Sequence, residues 1–148
     1  MDQKQFVRKC RANGIKVTAQ RIVIYKELSR SSAHPSALAI FQKIRKKFPH
    51  ISFDTVNRTV LTFADMGIIR IVDGGVGGRR FDPDTGPHHH LKCLKCHSII
   101  DFYHKVYDEL RLPEKLPARF RVLSKQVVLE GFCQKCNPSK GGKNHEST

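Results

Sequence analysis

Apolar side chains recur every three to four residues through the first half of the chain, the period of helices that lay one face on a core. The pattern predicts four helices. Gln3 to Arg11 is a short basic helix stopped by Asn13-Gly14, a pair suited to the left-handed turn past a helix end. Thr18 caps a second, Ala19 to Ser29, with Ile22, Tyr25 and Leu28 inward and Arg21 and Lys26 in water. Pro35-Ser36 opens a third, Ser36 to Lys47, whose apolar face carries Leu38, Phe41, Ile44 and Phe48, and Phe48-Pro49-His50 breaks it. Ser52 caps the fourth, Phe53 to Met66, which Gly67 ends; Val56, Val60 and Phe63 share its inner side, leaving Asp54, Asn57, Arg58, Leu61 and Thr62 on the flanks and far side. The pattern then turns to that of strands: Ile68 to Val72 out, Asp73 to Gly78 as a glycine-rich turn, Arg79 to Asp82 back.

Helices followed by a two-stranded hairpin form a winged helix-turn-helix, with the fourth helix as the recognition helix. Asn57 and Arg58 suit adenine and guanine edges, Thr55 or Thr59 a phosphate, and Lys16 and Arg21 add positive charge nearby. The plainer reading is an amphipathic helix with solvated polar residues. The glycine-rich turn lacks the Gly-Lys-Ser/Thr end of a phosphate-binding loop and reads as a mobile wing tip.

Phe81 to Pro87, with two prolines, a glycine and two aspartates, interrupts the pattern as a linker does. Beyond it His89 to Leu94, Ser98 to Phe102 and Val127 to Phe132 read as strands and Tyr103 to Leu110 as a helix kept short by Pro113 and Pro117. The expected organisation is α+β: a winged-helix DNA-binding domain over 1–82, a hinge over 83–87, a small α/β dimerisation and metal-binding domain over 88–137, and a disordered tail over 138–148 that includes His145. So small a second domain needs a metal staple and a partner subunit.

Charge sharpens this division. Residues 1 to 80 hold 16 Lys+Arg against 5 Asp+Glu, and the remainder 11 against 8, so the first half is the face for a polyanion. No apolar run reaches membrane-spanning length, and Met1 to Arg11 is too polar for a signal peptide, which points to a cytoplasmic protein.

The candidate chemistry lies after the linker. Cys93-x-x-Cys96 and Cys133-x-x-Cys136, with 36 residues between the pairs, offer four thiolates to a tetrahedral structural zinc ion. Disulfides and separate redox pairs are the alternatives, and Cys93 to His97 also matches a c-type haem attachment motif, which would leave the second pair unused. Cys10, alone in a basic segment, reads as an inert thiol. His88-His89-His90 alternates faces on a strand, so His88 and His90 point together and His89 away. Asp82 and Asp101 are the nearest carboxylates, and nitrogen with oxygen suits Fe2+ or Mn2+. His34, before the third helix, reads on position alone as an ordinary surface histidine.

These motifs, in this order and spacing, resemble the ferric uptake regulator (Fur) family, and within it the peroxide-sensing PerR branch. The resemblance spans about residues 5 to 137. It is carried by Gly14 to Arg21, Ala33 to Ala37, Phe48-Pro49, Ile51 to Val56, Arg80 to Asp82, the His-Cys cluster, Ile100 to Phe102 and Gly131 to Cys136. It implies a homodimeric winged-helix repressor on a double-stranded DNA operator. It also implies zinc on Cys93, Cys96, Cys133 and Cys136, and a regulatory metal on His34, Asp82, His88, His90 and Asp101. Aspartate at both acidic positions is similar to PerR, in which iron reacts with peroxide, a ligand histidine (His34 or His88 here) is oxidised, and DNA is released. The chain departs from the family at Pro87, His89 and Lys125, where many members hold another sensory metal, and at Asn57, where a tyrosine is usual.

A zinc hydrolase or deaminase needs a glutamate beside the histidines, which this cluster lacks. A zinc-stapled adaptor without DNA binding predicts no salt-dependent affinity for duplex.

Overall fold

Side-chain oxygens placed one residue ahead of each apolar repeat decide where the first four helices begin. The computed structural model describes residues 1–73 and 78–137. The middle of the expected wing tip, 74–77, and the expected tail over 138–148 fall on residues outside these. Asp2 and Gln5 cap α1 (Gln3–Ala12) reciprocally, each side chain accepting the other's backbone N–H at 2.7 to 2.8 Å. Thr18, Ser36 and Ser52 accept the N–H three residues on, at the heads of α2 (Ala19–Ser29), α3 (Ala37–Ile44) and α4 (Phe53–Asp65). Each such cap contributes about 1 kcal/mol. Gly14 and Gly67 follow α1 and α4 with φ of 68° and 61°, a conformation that costs other residues strain. Lys9 Nζ donates to the Gly67 carbonyl at 2.7 Å, tying the end of α4 to α1.

The chain divides into two compact units, one spanning Met1–Gly86 and the other beginning at Pro87. In the first, Phe6 stacks on Tyr25 at 4.1 Å and meets Phe63 edge-on at 5.2 Å, which pins α1, α2 and α4 together. Val56, Val60 and Phe63 are buried as their spacing predicts. Two helices differ in phase from expectation. In α2 it is Ile24 that joins Tyr25 and Leu28 in the core, while Ile22 is half-buried; in α3 Ala37, Ile40 and Ile44 are buried, and Leu38 is exposed. Both sequences carry neighbouring apolar residues, so their period admits more than one inner face and the packing partners choose. Cys10 is fully buried, and desolvation raises its thiol pKa.

Strands β1 (Arg70–Asp73) and β2 (Arg80–Asp82) pair antiparallel, Arg70 opposite Asp82 and Ile71 opposite Phe81. The loop before α3 joins the other edge of β2, through a bridge between Ser36 and Arg80 and a 3.1 Å bond from the Phe81 N–H to the Pro35 carbonyl.

The second unit is built on β3 (His89–Cys93). Strand β4 (Ile99–Phe102) runs antiparallel on one side of it and β5 (Val128–Gly131) parallel on the other. The expected helix over Tyr103 to Leu110 is a single turn, α5 (Lys105–Asp108). Its cap residue His104 makes no side-chain cap bond, so the turn lacks the start signal the first four helices share. Leu91 lies opposite Ile100 and Leu129, and all three remain 39 to 49% exposed, an apolar stripe across one face of the sheet. Mixed α/β structure with small sheets is thus what the sequence predicted in outline. No helix among the described residues is long and apolar enough to cross a membrane.

Candidate metal centres and nucleic-acid face

Parallel pairing of β3 with β5 sets Cys93 opposite Gly131, bringing the Cys133-x-x-Cys136 turn to the same end of the sheet as Cys93-x-x-Cys96. Each pair sits on a tight turn. The His97 N–H donates to the Cys93 carbonyl at 2.9 Å, and the Cys136 and Asn137 N–H groups to the Cys133 carbonyl at 2.8 Å. The four sulfurs lie within 4.8 Å of one another, with Cys96 Sγ and Cys133 Sγ 3.7 Å apart, and all are free thiols. A disulfide would need about 2.05 Å. The edge of a tetrahedron of sulfurs around zinc, at about 2.3 Å per bond, is about 3.8 Å.

Protonation argues the same way. Backbone N–H groups of Cys133 and Cys96 lower the Cys93 pKa to about 6, and hydrogen bonds from Ser98 lower that of Cys96. Burial and the neighbouring sulfurs push Cys136 up to about 12. Four thiolates this close repel one another, so the cluster ionises fully only around a cation. The arrangement fits a closed tetrahedral zinc site and has no open position for catalysis.

A second donor set lies on the opposite face of β3. The register sets His90 opposite Asp101, and the alternation of the strand brings His88 and His90 to one side, as expected. Their Nε2 atoms are 3.1 Å apart, and Asp101 Oδ1 is 3.2 Å from His90 Nε2 and 3.8 Å from His88 Nε2. Adjacent corners of an octahedron with bonds of about 2.1 Å are separated by about 3.0 Å, so these three atoms suit one face of it. Two imidazoles and one carboxylate on a face form the donor set of non-haem ferrous sites.

The first unit holds a pair of its own. The strand bridge at Ser36 and the bond to Pro35 bring His34 beside the end of β2, with His34 Nε2 3.8 Å from Asp82 Oδ1 and both residues 1% exposed. His34 has φ of 45°, a left-handed conformation costing a non-glycine residue about 1 kcal/mol. Burial beside a carboxylate and a strained backbone remove the surface reading of His34.

His89 points to the other face and takes no part. Its Nδ1 accepts the Val127 N–H at 3.2 Å, its Nε2 lies 3.2 Å from Asp108 Oδ1, and Phe102 and Tyr107 pack on the ring. The sequence reading missed Asp108 as this partner. Eighteen residues separate the two, and nothing local links them.

On the basic unit, Arg21 of α2 and Asp54, Thr55, Arg58, Thr59 and Thr62 of α4 line one polar cleft. Arg21 Nη1 donates to the Lys16 carbonyl at 2.5 Å, which joins the two basic candidates. Arg58 is exposed and pairs with Asp54 at 3.5 Å; the i,i+4 spacing was the sequence signal for that partner. Asn57 is half-buried beside it, and the Thr55 hydroxyl bonds that of Ser52 at 2.8 Å. Thr59 lines the same cleft but is only 7% exposed, so it is less open to a phosphate than the half-buried Thr55.

The model of the ferric uptake regulator family matches residues 12–130. The chain belongs to this family. It is 34% identical over 126 residues to the peroxide-responsive repressor PerR of Staphylococcus epidermidis, covering 85% of this chain and 84% of that protein. It is 31% identical over 134 residues to the peroxide operon regulator of Bacillus subtilis, covering 90% and 92%. Among solved structures it is similar to the Helicobacter pylori ferric uptake regulator Fur, with a TM-score of 0.73, 23% identity and 93% of each chain covered, a likeness of fold. A zinc-bound manganese uptake regulator matches with a TM-score of 0.62 and 28% identity, over 85% of this chain and 96% of that one. Fur proteins are transcriptional regulators and not enzymes, in line with the sequence reading.

Proposed function

We propose that this Fur-family chain is a metal-dependent, DNA-binding repressor that senses peroxide, working as a cytoplasmic homodimer. The observation that carries the reading is the triangle of His88, His90 and Asp101, a nitrogen and oxygen donor set that suits ferrous iron or manganese better than a thiol-rich site would. His34 and Asp82 complete the regulatory set from the first unit. An ion gripping ligands on both sides of the hinge would favour one posture of the DNA-binding units and so the spacing of two recognition helices. At about a hundred times its dissociation constant it stabilises that posture by about 2.7 kcal/mol.

In this reading the first unit is a winged helix-turn-helix with α4 in the major groove, Arg58 and Asn57 at base edges, and Thr55, Lys16 and Arg21 toward the backbone. The exposed Arg58 and the excess positive charge of residues 1 to 80 support it. The zinc site on Cys93, Cys96, Cys133 and Cys136 is structural, and the stripe of Leu91, Ile100 and Leu129 is where a second copy gains by burial. Ferrous iron held by these residues would supply the redox chemistry that cleaves a peroxide bond: one oxygen would add to the ring of His34 or His88, which gives up two electrons, and the other would leave as water. The oxidised imidazole would be a poorer nitrogen donor, and the hinge would be released.

The test is to load zinc-replete protein with Fe2+ without oxygen, add peroxide, and follow both operator binding and peptide masses. Release of duplex with one added oxygen on His34 or His88 is expected. Retention of metal and operator would remove the sensing step and leave a manganese- or iron-responsive regulator, the reading favoured by the likeness to the manganese uptake regulator.

A further inference from the structure

Five residues separate Asp82, the last ligand of the first unit, from His88, the first of the second. Their backbone is held by three side chains. The Asp82 carboxylate accepts the Asp84 N–H at 2.8 Å, which fixes its own rotation. The Asp84 carboxylate accepts the Gly86 N–H at 2.8 Å, making a second turn of the same kind. Arg70, directly across from Asp82 on β1, sends its guanidinium to the two carbonyls that follow, Nη2 to Thr85 and Nη1 to Gly86 at 3.3 Å. A planar fork with donors in fixed directions suits two successive carbonyls. The stretch expected to be a loose linker is therefore tied back to β1 as far as Gly86.

We infer that Arg70 and Asp84 are positioning residues for the regulatory metal, setting its affinity without touching it. The inference rests on the metal-site reading above. Residues between two ligands that are unordered must be ordered when an ion is taken up, and that cost is subtracted from binding. Residues fixed in advance add no such cost, and a ligand carboxylate already held by a neighbouring N–H presents its oxygens in one direction. Loss of an outer partner of this kind lowers metal affinity about tenfold to a hundredfold.

The experiment uses the full chain with zinc bound, Mn2+ as the probe and equilibrium dialysis as the readout. Arg70→Met keeps the aliphatic stem and removes the fork; Asp84→Ala removes the second turn, and Asp84→Asn keeps an accepting oxygen. Arg70→Met and Asp84→Ala are each expected to weaken Mn2+ binding about tenfold or more, and Asp84→Asn to restore most of it, with zinc content and thermal unfolding of the helices unchanged. Parental Mn2+ affinity in both Arg70→Met and Asp84→Ala overturns the inference. Loss of affinity in step with loss of helical stability also overturns it, because the residues would then be structural only. His90→Ala separates this from the underlying reading: if that variant binds Mn2+ like the parent, the metal site itself is misassigned and the inference falls with it.

Discussion

The two units hold themselves together by different chemistry. Among the described residues, the helical unit buries fifteen side chains in one apolar cluster from Phe6 to Phe81. Among those of the sheet unit the buried side chains are Cys93, Ile99 and three consecutive histidines, while Leu91, Ile100, Leu129 and Phe132 stay exposed. The first is stabilised by taking hydrocarbon out of water, and its histidine and aspartate at the hinge are additions to a finished core. The second has almost no hydrocarbon to bury within itself, so its order must come from ligated sulfur and from surfaces offered to another molecule. Such a split leaves the helical unit folded whatever the state of the sulfur cluster.

The largest expected effect breaks the sheet unit alone. Stripping zinc, or changing Cys96→Ser, removes a contribution of about 10 to 16 kcal/mol for a site of this type. Near-complete loss of sheet signal and of dimer in sedimentation is expected while the helices still melt cooperatively. A Cys96→Ser protein that kept its dimer would mean that this unit has a core of its own.

The converse change is Phe63→Ala, which removes the ring against Phe6 at the centre of the helical unit. A loss of about 3 to 5 kcal/mol in urea unfolding is expected, with zinc content unchanged. Equal destabilisation of both units would erase the contrast between them.

A smaller effect sharpens the picture of the sulfur cluster through pH. Cys93, with its pKa lowered to about 6, is mostly thiolate at neutral pH, whereas Cys136, raised to about 12, is protonated. Taking up zinc at neutral pH must therefore expel the Cys136 proton, so apparent zinc affinity rises with pH and falls on acidification. Proton release in weak buffer during zinc titration measures it, and Cys136→Ser should release less.

The contrast between the units was legible in part before any fold was known. Caps at Thr18 and Ser52 and stops at Gly14 and Gly67 are local signals, and α2 and α4 start where the sequence says; the Asp2 cap of α1 was not foreseen, and α3 runs Ala37–Ile44 rather than Ser36 to Lys47, with Ser36 as its cap. Ala19–Ser29 matches residue for residue, whereas α5 shrank to Lys105–Asp108 in a segment with no such cap. The two Cys-x-x-Cys pairs announced a sulfur cluster because each spacing prepares half of a tetrahedron. His34 was different: on position alone it reads as a surface residue, and its place beside Asp82 depends on a strand bridge that no local pattern encodes.

What the sequence determined by itself is whatever a few neighbouring residues can settle: helix starts and stops, strand alternation that sends His88 and His90 one way and His89 the other, and ligand spacing. Tertiary structure decided the rest. It chose Ile24 over Ile22 and Ile40 over Leu38 for the core, set Asp101 opposite His90, joined β3 to β5 across the chain, and tied Thr85 and Gly86 to Arg70. The reason is that a period fixes how side chains repeat, whereas which of them turns inward, and which distant partner it meets, depends on surfaces that exist only once the elements have packed.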